Sequence, residues 1–187
     1  MNGIGKSMSN GSKPLIPQGE ELARPPTRLM VLISLVAAFM LTLLPWPKAA
    51  LWLVPDLGLL VLVYWNIHAP RLAALGVAFA LGLAMDATHG LLLGLHALSY
   101  CVVTFLVLML RRRLAFFTLK GQAAHLAPLF LLQEALVLLL GLAYGHSQVD
   151  WRYLAAGIVT AALWVPACLV LDRLTGRPAR LDRVTGG

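Results

Sequence analysis

Charge is what this chain has least of. Of its 187 residues only 12% are Asp, Glu, Lys or Arg, whereas soluble domains carry about a quarter. Set beside 59% apolar residues and a mean hydropathy of +0.80, that scarcity excludes an ordinary soluble domain and points to a membrane protein. Cysteine is scarce as well. Cys101 and Cys168 lie inside apolar runs without metal-ligand spacing, so both read as small buried side chains. There is no G-x-S-x-G, no H-E-x-x-H, no phosphate-binding glycine loop and no cysteine pair. No nucleophile has an evident base beside it, so no enzyme activity, cofactor or metal is expected. The net charge of +7 does not form the basic stripe of a nucleic-acid binder, because the basic residues flank apolar segments.

What the chain has in abundance is apolar runs. Residues 1–28 are rich in Gly, Ser, Pro and Lys and read as a disordered cytoplasmic tail. Six runs follow: Leu29 to Leu44, Asp56 to Ala69, two that share Leu72 to Leu110, Leu126 to Tyr144, and Tyr153 to Leu171. A helix needs about 20 residues to cross a hydrocarbon core of about 30 Å. The last three runs meet that length, and the first three are short enough to depend on interfacial anchors and partner helices. The expected fold is an all-α integral membrane protein, a bundle of six transmembrane helices over residues 29–172, followed by a basic cytoplasmic tail at 173–187.

The stretch from Arg71 to Arg111 orients the bundle. Both of its ends are basic, and the residues between them fit two spans joined by a tight outer turn. With both termini inside, 13 of the 15 basic residues are cytoplasmic, and only Lys48 and Arg152 are outside. An arrangement of five spans would put either Arg111, Arg112 and Arg113 or the C-terminal arginines on the wrong side. The triple arginine also suits anionic lipid or an acidic cytoplasmic partner. The segment after it, "LAFFTLKGQAAH", reads as an amphipathic stretch along the inner surface. Trp46, Trp52, Trp65, Trp151 and Tyr153 fall near the expected headgroup levels.

Few polar residues interrupt the apolar runs. Ala74, Ala78, Gly82 and Asp86 recur every four residues on one face of the third helix, and Gly90 and Gly94 continue the spacing through the outer turn. Small residues at that spacing let helix backbones approach closely, which suits internal packing or a partner contact. Asp86 has two open roles: it accepts hydrogen bonds from the start of the fourth helix or from Thr88 or His89, or it lines an outward pocket. Glu134 stands near mid-membrane on the fifth span. It needs a partner there, which the row His96, Tyr100 and Thr104 on the fourth helix is placed to supply; both an interhelical hydrogen bond and a proton relay stay open. Pro55 in the first turn and Asp56 beside the positive dipole end read as ordinary entry residues of the second helix. Pro166 falls inside the sixth span, where it should kink the helix or free a carbonyl.

"LLPWPKAALWLVPDLGLLVLVYWNIHAPR" followed by "GLAMDATHGLLLGLHAL" resembles the rod shape-determining protein MreD family. The resemblance covers about residues 29 to 172 and rests on Pro-Trp-Pro, Pro55-Asp56, "LVYW" before a proline and arginine, and the Gly82–Asp86–Gly90–Gly94 series. It implies an inner-membrane scaffold of the bacterial elongation machinery. It also implies MreC, MreB and the enzymes of lateral peptidoglycan synthesis as partners, and a fold similar to the substrate-binding subunits of energy-coupling-factor transporters. The long segment before Arg28 departs from the family's usual short start. The resemblance carries no catalytic residues. A homodimer stays open. The competing functions are a transporter subunit that captures a small, vitamin-type molecule from the outer side through Asp86, His89, His96 and Glu134, and a proton-coupled carrier using Glu134.

Overall fold

The computed structural model describes residues 26–47, 53–90, 93–144 and 151–176, which form six α-helices and no strand. Most of the expected N-terminal tail, the chain beyond residue 176, Lys48 and Trp52 lie outside these residues.

The helices are α1 (Arg28–Thr42), α2 (Leu57–His68), α3 (Leu75–His89), α4 (Leu95–Leu114), α5 (Leu119–Ala143) and α6 (Leu154–Thr175), with a 3-10 turn at Trp151–Tyr153 before α6. Only α4, α5 and α6 are long and apolar enough to cross a membrane on their own. At 1.5 Å per residue α1 and α3 reach about 22 Å and α2 about 18 Å, as the short runs anticipated. The shortest helix is the most enclosed. Every residue from Gly58 to Asn66 is buried, and α2 meets α1, α3, α4 and α6. The other principal contacts are α3 with α4, α4 with α5, and α5 with α6.

Three sequence expectations change here. Trp65 does not face out of the bundle: it is 1% exposed, and its indole N–H donates to Ser34 Oγ at 2.7 Å, joining α2 to α1. A facing serine gives this buried indole the acceptor that interfacial water would otherwise supply. Trp46 and Tyr153 are exposed.

The segment after the triple arginine is not a surface helix. Arg111, Arg112 and Arg113 form the last turn of α4, and the chain reverses within a few residues. Thr118 then caps α5, accepting from the Gly121 N–H at 3.3 Å. The buried Gln122 amide donates to the Leu114 and Phe117 carbonyls at 3.0 and 3.3 Å, tying the start of α5 back to the turn that follows α4. Consequently α5 begins at Leu119 rather than Leu126. Pro128 becomes an interior residue of α5, as Pro166 is of α6. Glu134 is shifted from mid-span into the C-terminal half of α5, about 14 Å from its end.

Pro55 does not occupy the first turn of α2. It is buried one position before the cap, and Asp56 is the cap.

Candidate functional site

Asp56, Asp86 and His96 gather at the end of the bundle where α1, α3 and α5 finish and α2, α4 and α6 begin. Asp86 organises the turn between α3 and α4. It is fully buried, and its carboxylate accepts from the Gly94 N–H at 2.7 Å, the His96 N–H at 2.8 Å and the Ala97 N–H at 3.4 Å. These are the orphan donors at the start of α4, which has no cap of its own because Gly94 carries no side chain. The His96 ring adds a fourth contact, Nδ1 to Asp86 Oδ1 at 2.8 Å. A carboxylate only accepts, so Nδ1 carries the proton. Thr88 and His89 do not serve Asp86. Both donate to the Met85 carbonyl within their own helix, at 2.9 and 3.0 Å.

The small-residue series divides into distinct roles. Gly82 is buried where α3 crosses α4: a Cβ there would collide with Ala97 Cα and lie 2.6 Å from Ala97 N. Ala78 is buried on the same face. Ala74 is exposed and sits at the cap position just before α3. A Cβ at Gly90 or Gly94 would meet nothing within 4 Å, but both occupy the turn with φ of +62° and +115°, a region that side chains disfavour. Spacing alone cannot separate a glycine needed for contact from one needed for a turn.

Asp56 forms the second junction. Its Oδ1 caps α2 by accepting from the Leu59 N–H at 2.8 Å, and its Oδ2 accepts from the Tyr100 hydroxyl at 2.5 Å. Its own N–H donates to Thr160 Oγ1 at 3.0 Å. One residue thus ties α2 to α4 and α6. The His96 and Tyr100 rings meet edge to face with centroids 6.1 Å apart, so the two junctions adjoin along α4.

Glu134 has none of the partners expected for it. His96 serves Asp86, Tyr100 serves Asp56, and Thr104 accepts from the Asn66 amide of α2 at 3.4 Å. The side-chain hydrogen bonds of the polar row of α4 go to α3, to the cap of α2 and to α2, and none to α5. Glu134 instead lines a cavity of about 670 Å3 bounded by α1, α3, α4, α5, α6 and the residues that lead into α2, together with Gln133, Asp56, His89 and His96. Asp86 lies outside it, behind His96.

The family profile described as rod shape-determining protein MreD matches residues 24–174. This chain belongs to the MreD family. It is 28% identical over 151 residues to the rod shape-determining protein MreD of Haemophilus influenzae, an alignment that covers 81% of this chain and 93% of the relative. No solved structure matches it.

One further carboxylate of this MreD-family chain escaped sequence reading. Asp172, near the end of α6, is buried and accepts from the Tyr64 hydroxyl of α2 at 2.7 Å. It looked like a boundary residue because Arg173 follows it. The available signal was a tyrosine inside the apolar second run, since a buried hydroxyl demands an acceptor. Gly157 also went unremarked, though a Cβ there would lie 3.1 Å from the Phe130 carbonyl oxygen where α6 crosses α5. Among the described residues no three His, Cys, Asp or Glu are grouped to hold a metal ion.

Proposed function

We propose that this rod shape-determining protein acts as a non-enzymatic inner-membrane scaffold. It crosses the membrane six times with both termini in the cytoplasm, binds MreC, and with MreB and the wall-synthesis enzymes helps to position lateral peptidoglycan synthesis. Family membership supplies the biological setting. The observation that carries the scaffold reading is the use of the buried carboxylates: Asp56, Asp86 and Asp172 are each engaged in joining helices. Groups committed in that way give a fixed body on which other proteins assemble, rather than a reaction centre. The small-residue face of α3 contributes to that body from within, because Ala78 and Gly82 are covered by the bundle.

The test is conditional depletion of the protein in its rod-shaped host. Rounding of the cells, together with loss of co-purification between MreC and the wall-synthesis enzymes, supports the scaffold. Unchanged shape would sink it. A second reading, a subunit that captures a small molecule from outside, draws support from the cavity and its lining residues His89, His96 and Glu134. Normal cell shape with impaired uptake of one nutrient would favour that reading.

A further inference from the structure

Helix packing does not account for the cavity. Its volume of about 670 Å3 falls within the roughly 300–1,000 Å3 of sites that take drug-sized ligands. Its polar groups differ in whether they are already engaged. The Asp56 carboxylate holds the Leu59 N–H and the Tyr100 hydroxyl, while His89 and His96 each use Nδ1 on α3. The Glu134 carboxyl group and the Gln133 amide have no hydrogen-bond or ion-pair partner among the described residues, although Gln133 is only 2% exposed. They are adjacent on α5, and both line the cavity.

Asp56 and Glu134 contribute two carboxyl groups beside His89 and His96, and no described lysine or arginine borders the space. An anion would find no lysine or arginine among the described lining residues to pair with. A neutral apolar molecule would strip water from Glu134 and give it nothing in return, which is costly for a polar group. A cationic head answers both constraints, through a charge-assisted hydrogen bond to the carboxylate. The remaining lining, including Leu43, Trp46, Val137 and Leu138, suits an apolar body.

We propose that the cavity binds a small organic cation, an ammonium or guanidinium group on an apolar body, with Glu134 as its counter-ion and Gln133 accepting a second N–H. This goes beyond the scaffold reading and stands or falls separately from it. The full-length protein in lipid nanodiscs is titrated calorimetrically with phenethylammonium, with 2-phenylethanol and 3-phenylpropionate as neutral and anionic counterparts and empty nanodiscs as the partition control. Saturable binding of the amine is expected, at least tenfold tighter than either counterpart. Glu134→Gln should weaken the amine at least tenfold and leave the alcohol unchanged. Val137→Trp, which fills the space but keeps the carboxyl group, should remove binding in a protein that still folds. Equal binding of amine and alcohol, no saturable binding of the amine, unaltered amine binding in Glu134→Gln, or tight amine binding in folded Val137→Trp would each overturn the proposal.

Discussion

A buried carboxylate in a lipid-embedded bundle is tolerable only if its oxygens are used. At Asp86 they are used four times, and all four contacts come from the first residues of α4 and the His96 ring. Removing the acceptor leaves several donors unsatisfied, and each buried one costs about 1–3 kcal/mol. Asp86→Ala should therefore destabilise the protein by at least about 2 kcal/mol, read as a lower midpoint of thermal unfolding in detergent. Asp86→Asn, which keeps one acceptor oxygen, should fall between Asp86→Ala and the unaltered protein. Thr88→Ala is the contrast: its hydroxyl bonds only to the Met85 carbonyl of its own helix, so a change within about 0.5 kcal/mol is expected. A large Thr88 effect with a small Asp86 effect would refute this account. The capping role of Asp86 was open to sequence reading because it is local: an acid followed within ten residues by an uncapped helix start. The isolation of Glu134 was not, because it depends on which helix the row His96, Tyr100 and Thr104 faces. That orientation is fixed by long-range packing, which no spacing in a single helix encodes.

Backbone approach works at the scale of whole helices, and the two glycines of α3 separate its effect from helix propensity. Gly82 and Gly76 share one helix, but a Cβ at Gly82 strikes the α4 backbone whereas one at Gly76 meets nothing within 4 Å. Gly82→Ala should push α3 from α4 and cost about 1–3 kcal/mol, the range for overpacking a filled contact. Gly76→Ala should be neutral or stabilising by up to about 1 kcal/mol, since alanine is the better helix former. Unfolding midpoints of the two single variants decide the matter, and equal shifts would deny that close approach matters at Gly82. Element boundaries were legible where a cap or a turn glycine marked them, as at Asp56 and Gly90. They failed at α5, where Thr118 and Gln122 start the helix within a stretch whose polar and aromatic residues resembled a surface segment.

For the whole molecule, the cavity settles how the helices alternate. Its lining draws on the end of α1, the start of α2, the end of α3, the starts of α4 and α6 and the C-terminal half of α5. The opposite ends must then gather at the other pole, and they carry Arg28, Arg71, Arg111, Arg112, Arg113, Lys120 and Arg173. Among the described residues, only Arg152 belongs to the cavity pole. The charge bias counted along the sequence thus becomes a polarity in space, which is what the positive-inside rule asks of the proposed orientation with the arginine pole in the cytoplasm. What length leaves open is whether α2 and α3, at about 18 and 22 Å, carry the chain through a core of about 30 Å. Their connection bears Arg71, and a basic turn that stops short of the far interface must thin the bilayer or reach out to it. Single-cysteine labelling can follow this, in a background with Cys101 and Cys168 replaced by alanine. With a membrane-impermeant maleimide on intact cells, Arg152→Cys should react, whereas Arg112→Cys and Ala74→Cys should react only after permeabilisation. Labelling of Ala74→Cys in intact cells would mean that α2 and α3 form a hairpin that never reaches the cytoplasmic side. The count of crossings would then fall from six, while the orientation of α4, α5 and α6 would stand.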